Sequence, residues 1–80
     1  MSKQLKVVLV GLPGSGKSTF GRYLSSVLNF SFYDLDHLIE ERNHMKIPDI
    51  FINHGEGQFR NWETETLEWI LDRDESFVLA

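Results

Sequence analysis

Nine residues, Gly11-Leu12-Pro13-Gly14-Ser15-Gly16-Lys17-Ser18-Thr19, constrain this chain more than any other stretch. An apolar run, Leu5 to Val10, leads into them, and an amphipathic run, Phe20 to Leu28, follows. Strand, loop and helix in that order is the setting in which G-x-x-x-x-G-K-[ST] binds phosphate. Its glycines let the backbone bend and bring N–H groups against phosphate oxygens. The helix that follows aims its free amides and positive dipole end at the same anion. Lys17 adds a point charge for the β- and γ-phosphates, and the Ser18 hydroxyl is placed to ligate Mg2+. Gly14, Ser15, Gly16, Lys17, Ser18 and Thr19 are the expected nucleotide contacts. A nucleoside triphosphate is the expected ligand.

Eighty residues make one small domain at most, with limited capacity to bury surface. A formal net charge of −4 opposes a nucleic-acid footprint, which would be basic. No cysteine means no disulfide and no thiolate metal site, in keeping with a reducing cytoplasm. Val7 to Val10 is too short for a signal-peptide core or a membrane span. Neither nucleic acid nor membrane is an expected partner.

Leu5 to Val10 is too continuously apolar for a half-exposed strand and predicts a buried parallel one. From Lys17 to Leu28, a helical wheel gathers Phe20, Tyr23, Leu24, Val27 and Leu28 on one face, predicted to turn inward. Asn29 ends that helix. Phe30 to Asp34 predicts a second strand, with Asp34-Leu35-Asp36 at its carboxyl end. Ligands of open α/β sheets collect at that rim. Leu38 to Asn43 is helical, His44 to Ile47 a break, and Pro48 opens a short helix over Asp49 to Asn53. Gly55 and Gly57 mark a turn before a long helix from about Gln58 to Asp72, and Ser76 to Ala80 is a third strand. The order βαβααβ predicts the α/β class with a parallel sheet.

On the long helix Phe59, Trp62, Thr66, Leu67, Trp69 and Ile70 form the predicted inward stripe. Glu63 falls inside it and Arg60 on its edge, three residues apart and able to meet. A buried lone carboxylate is costly, so Glu63 requires a partner, and Arg60 is the nearest. The pair reads either as a structural clamp or as a pocket lining in which Arg60 offers a bidentate fork to an anionic substrate. Asp36 reads as a helix N-cap. Paired with Asp34 it also suits phosphoryl transfer, one carboxylate holding Mg2+ through water and the other receiving a substrate hydroxyl. His37, His44 and His54 lack a metal-ligand spacing and read as surface residues. Asp72, Asp74 and Glu75 read as a solvated helix end, and Trp62 and Trp69 as core.

With these residues in place, the chain resembles the shikimate kinases along nearly its whole length. The resemblance rests on the phosphate loop at 11–19, on Phe32-Tyr33-Asp34-Leu35-Asp36 with Ile39-Glu40, and on Ile50-Phe51, Gly55-Glu56, Phe59-Arg60 and Glu63. It implies a P-loop parallel sheet of the nucleoside-monophosphate-kinase type, with family strand order 2-3-1-4-5. It implies ATP-dependent phosphorylation of the shikimate 3-hydroxyl on the chorismate pathway, by a monomeric cytoplasmic enzyme using Mg2+. By that likeness Lys17 and Ser18 serve ATP and the metal, and Asp34 positions magnesium. Asp36 grips shikimate hydroxyls and assists deprotonation, Arg60 meets the shikimate carboxylate, and Glu63 orients Arg60. Leu35 departs from the small polar residue common there.

Residues 1–80 match roughly the first half of such a domain, the three-strand N-terminal part. The family's Gly-Gly-Gly turn, its arginine-bearing lid, a second substrate arginine and the adenine loop have no counterpart in them. Activity of these eighty residues alone is therefore expected to be negligible, because positioning and water exclusion would be incomplete. A gluconate-type or nucleoside-monophosphate-type kinase is the competing enzymatic reading, which Gly55-Glu56 with Phe59-Arg60 disfavours. A non-catalytic nucleotide-binding fragment is the third.

Overall fold

A computed structural model of the chain describes residues 4–10 and 16–80. Strand β1 (Lys6–Val8), helix α1 (Lys17–Leu28), strand β2 (Ser31–Tyr33), helices α2 (Leu35–Asn43) and α3 (Ile47–Leu71), and strand β3 (Phe77–Leu79) follow in order. They divide into two compact units: the sheet with α1, and Leu35–Arg73.

The sheet is parallel, in the order β1-β3-β2. Val78 sits between Val7 and Phe32, and Leu79 between Val8 and Tyr33. As middle strand, β3 buries Phe77, Val78 and Leu79 completely or nearly so. The buried-strand reading fits β3. Within residues 1–80, β1 is parallel as expected but has a neighbour on one side only, so Leu5, Val8 and the exit residue Val10, 87% exposed, are open. Leu9 N–H donates to the Leu79 carbonyl at 2.8 Å, and Ala80 N–H to that of Tyr33 at 2.9 Å. The stretch before β3 is also tied down. The Tyr33 hydroxyl donates to Glu75, Ser31 Oγ donates to the same carboxylate at 3.4 Å, and Ser76 Oγ accepts from Leu5 N–H at 3.0 Å. Glu75 is therefore a structural tie to β2, where the sequence suggested a solvated end.

Helix α1 ends as expected. Asn29 adopts φ 57°, ψ 42°, a left-handed cap that asparagine tolerates, and its N–H reaches back to the last turn. Its inward face, however, differs from the wheel. Gly21 and Ser25 are buried, while Phe20, Tyr23 and Val27 lie exposed. A Cβ on Gly21 would stand 2.6 Å from the Phe32 ring and 3.1 Å from Leu9. Helix and sheet approach so closely there that only the smallest side chain fits, and the large apolar residues are turned away from that line. Buried Ser25 satisfies its hydroxyl by donating to the Arg22 carbonyl at 2.9 Å.

In the second unit Ile39, Ile50 and Phe59 form a core, with Leu35, Met45, Ile47 and Trp62 packed against it. Helix α3, Ile47–Leu71, is two helical segments joined at Gly55, with Pro48 in the first turn. Only Gly55 departs, at φ 85°, ψ 171°, so the two predicted helices meet at a one-residue kink and Gly57 is helical. Thr66 and Ile70 are buried as predicted. Trp69 is not: its ring is exposed, between the guanidinium groups of Arg42 at 5.0 Å and Arg73 at 5.2 Å from its centroid.

Candidate active site

Gly16, at φ 81°, occupies the N-cap of α1, and its carbonyl accepts the first helical bond from Phe20 N–H at 2.9 Å. Lys17 and Ser18 follow, both half-buried, in the first turn of the helix, where backbone amides lack an intrahelical partner. Asp34 is the residue immediately after β2. The Ser18 hydroxyl donates to Asp34 Oδ2 at 2.9 Å, closing sixteen residues of chain. Both side chains offer hard oxygen donors of the kind Mg2+ takes, the hydroxyl directly and the carboxylate directly or through water. The donor set fits that ion. Gly11, Gly14 and Ser15 lie outside the described residues, and Thr19 is exposed on α1.

Helix α2 begins at Leu35, three residues earlier than predicted. Asp36 therefore lies inside its first turn and is not the N-cap. A carboxylate there is still favoured by the positive end of the helix dipole, and the side chain is exposed. On the same helix Glu40 accepts a hydrogen bond from Ile47 N–H at 2.8 Å, capping the start of α3, with Lys46 3.8 Å away.

On α3, Arg60 Nη1 donates to Glu63 Oε1 at 3.0 Å, the pairing expected from their spacing. Glu63 is half-buried, its side chain 31% exposed, whereas Arg60 is 58% exposed and stands outside the apolar stripe. A second carboxylate was not anticipated. Glu56 Oε2 lies 3.6 Å from Arg60 Nη2. The sequence carried the signal in the i, i+4 spacing, but the turn expected through Gly57 took Glu56 out of the helix. Because helical geometry resumes directly after Gly55, the spacing operates. The hydrogen bond and charge of Glu63, with help from Glu56, raise the Arg60 pKa further above its ordinary value. The guanidinium is therefore charged throughout the working pH range. The charge is fully present below the ordinary arginine value and is lost only as pH rises through the raised one.

The structure thus assembles Ser18 with Asp34, and Arg60 with Glu63 and Glu56, each group within its own unit. All three histidines are exposed, His37 beside Glu41 at 3.3 Å and His54 against Trp62. Among the described residues no three His, Asp or Glu side chains are grouped to hold a metal, and no helix is long and apolar enough to cross a membrane.

A parallel sheet with α1 packed against it, Gly-Lys-Ser opening that helix and an aspartate directly after β2 define a fragment of the P-loop kinase fold. The shikimate kinase family model matches residues 13–80, and the chain belongs to that family. A shikimate kinase from Sulfurihydrogenibium sp. (strain YO3AOP1) is 48% identical over 68 residues, covering 85% of this chain and 41% of its own length. Shikimate kinase from Acinetobacter baumannii, solved in complex with shikimate, superimposes with a TM-score of 0.91 at 42% identity, over 96% of this chain and 42% of that one. The Aquifex aeolicus enzyme gives 0.87 at 37% identity, over 94% and 45%. The chain spans about two fifths of the length of these relatives.

Proposed function

We propose that this chain supplies the phosphate grip and part of the acceptor site of an ATP-dependent kinase acting on the 3-hydroxyl of shikimate. The observation that carries the reading is the hydrogen bond from Ser18 to Asp34 at 2.9 Å, which sets a hydroxyl and a carboxylate side by side at the start of the P-loop helix. Family membership and the shikimate-bound relative supply the acceptor.

In this reading Gly14 to Thr19 hold the triphosphate, Lys17 neutralises its β- and γ-oxygens, and Ser18 with Asp34 holds Mg2+. The ion, when bound, offsets charge on the transferring phosphoryl group. Asp36 receives the proton of the attacking hydroxyl as its oxygen bonds the γ-phosphorus, and the bond from phosphorus to the ADP oxygen breaks. Arg60, oriented by Glu63, takes the acceptor's carboxylate in a planar fork that a lysine cannot reproduce. Residues 1–80 are then the N-terminal part of a kinase domain, and lid and adenine contacts belong to the rest of a family domain's length. The reading carries with it a monomeric, cytoplasmic enzyme of the chorismate route, in keeping with a chain free of cysteine.

The test is ADP release by the protein as encoded, offered shikimate, gluconate or a nucleoside monophosphate. Release dependent on shikimate and Mg2+ is expected. Turnover with either alternative acceptor and none with shikimate would overturn the assignment.

A further inference from the structure

Resting on that reading, the arrangement around Arg60 goes further than an arginine with one orienting partner. A guanidinium meets a carboxylate best through two parallel N–H bonds along one edge of its plane. Glu63 occupies Nη1 at 3.0 Å, a true hydrogen bond from a half-buried side chain. Glu56 lies 3.6 Å from Nη2, too far for a hydrogen bond, on a side chain that is 71% exposed. One glutamate is a fixture and the other a loose counter-ion.

We infer that Glu56 competes with the acceptor's carboxylate for the outer nitrogen of Arg60, so that it lowers the affinity for an acidic acceptor and is displaced when one docks. Two carboxylates around one guanidinium leave a local charge of about −1, which repels a third. Exposed ion pairs are weak, so Glu56 yields at small cost. It also has a resting place once released. As the first residue after the Gly55 kink it begins a helical segment, where the dipole favours a negative side chain. Glu63, three residues beyond Arg60 and partly shielded, has the opposite role and stays in place.

The test is Glu56→Gln in the protein as encoded, which removes the charge while preserving shape and helix propensity, with Glu56→Ala as a second variant. KM for shikimate is expected to fall about two- to fivefold at low ionic strength, the range an exposed pair allows. The gain should shrink toward none in about 1 M salt, where the screening length is near 3 Å. KM for ATP, and KM for an analogue whose carboxylate is replaced by a carboxamide, should not change. An unchanged KM for shikimate in both variants overturns the inference. A raised KM also overturns it, and shows that Glu56 helps to hold Arg60 in place. If the unsubstituted protein shows no turnover dependent on shikimate, the proposed function itself fails and takes this inference with it. Turnover in the unsubstituted protein without the gain in the variants condemns the inference alone.

Discussion

Gly21 of α1 and Phe32 of β2 touch so closely that a methyl group on the glycine would come within 2.6 Å of the ring. Leu9 approaches the same point at 3.1 Å, so an added methyl presses on two side chains at once. In an open helix, glycine to alanine gains about 1 kcal/mol from propensity. Here overpacking opposes it with about 1–3 kcal/mol. Gly21→Ala is expected to lower stability by about 1 kcal/mol net, read as a lower midpoint in urea with unchanged slope. A higher midpoint would show that Phe32 moves freely and that α1 is not held at this distance.

The proposed metal role of Asp34 separates from its structural one in Asp34→Asn. An amide oxygen still accepts from the Ser18 hydroxyl, so stability is expected to change by less than about 1 kcal/mol. With the charge gone, half-maximal activity should need about tenfold more Mg2+, and the rate at limiting Mg2+ should fall accordingly. An unaltered Mg2+ titration would remove Asp34 from the metal site.

Arg60→Lys tests the fork. The charge remains, but the paired N–H bonds and the hold of Glu63 on a planar group do not. Bonds to charged groups are worth about 1.5–3 kcal/mol, so KM for shikimate is expected to rise at least tenfold with KM for ATP within twofold. A matching rise in KM for ATP would mean that Arg60 serves the nucleotide.

Gly55 gives a purely conformational test. Its φ of 85° and ψ of 171° belong to a region essentially reserved for glycine, and a Cβ there would meet nothing within 4 Å. The cost of Gly55→Ala is then backbone strain alone, about 1–3 kcal/mol. Asparagine, which relieves ordinary left-handed positions, should not rescue this one. Thermal unfolding of both variants checks this. Equal stability of the glycine and asparagine forms would show that the kink relaxes.

Local signals were the readable ones. Helix α1 runs from Lys17 to Leu28 and stops at Asn29 as its sequence states, because capping and periodicity act within one turn. Burial was less readable, since it depends on neighbours far away in sequence. Leu5 to Val10, Lys6 apart, and Phe77 to Leu79 are both apolar, yet among the described strands only β3 has a strand on each side. The wheel for α1 sorted side chains by apolar character, whereas the contact with the sheet is made where they are smallest, at Gly21. At the site, Ser18 is legible from the loop motif. Its bond to Asp34 spans two elements; the rim position of Asp34 put the two near one site, and the family likeness singled out Asp34 over Asp36 for the metal. The pairing of Glu56 with Arg60 went unread because a glycine pair taken for a turn proved to be a kink of one residue.

The placement of β3 bears on how the polypeptide matures on the ribosome. The strand on which both others pair, through Val7 to Val78 and Phe32 to Val78, is synthesised after both of them. Until Phe77 to Leu79 clear the exit tunnel, β1 and β2 have nothing to zip onto, and the nascent chain must keep its N-terminal strand in waiting across some seventy residues, a separation of the kind that slows folding. Chaperone occupancy should therefore persist on nascent chains until this segment emerges and fall soon afterwards.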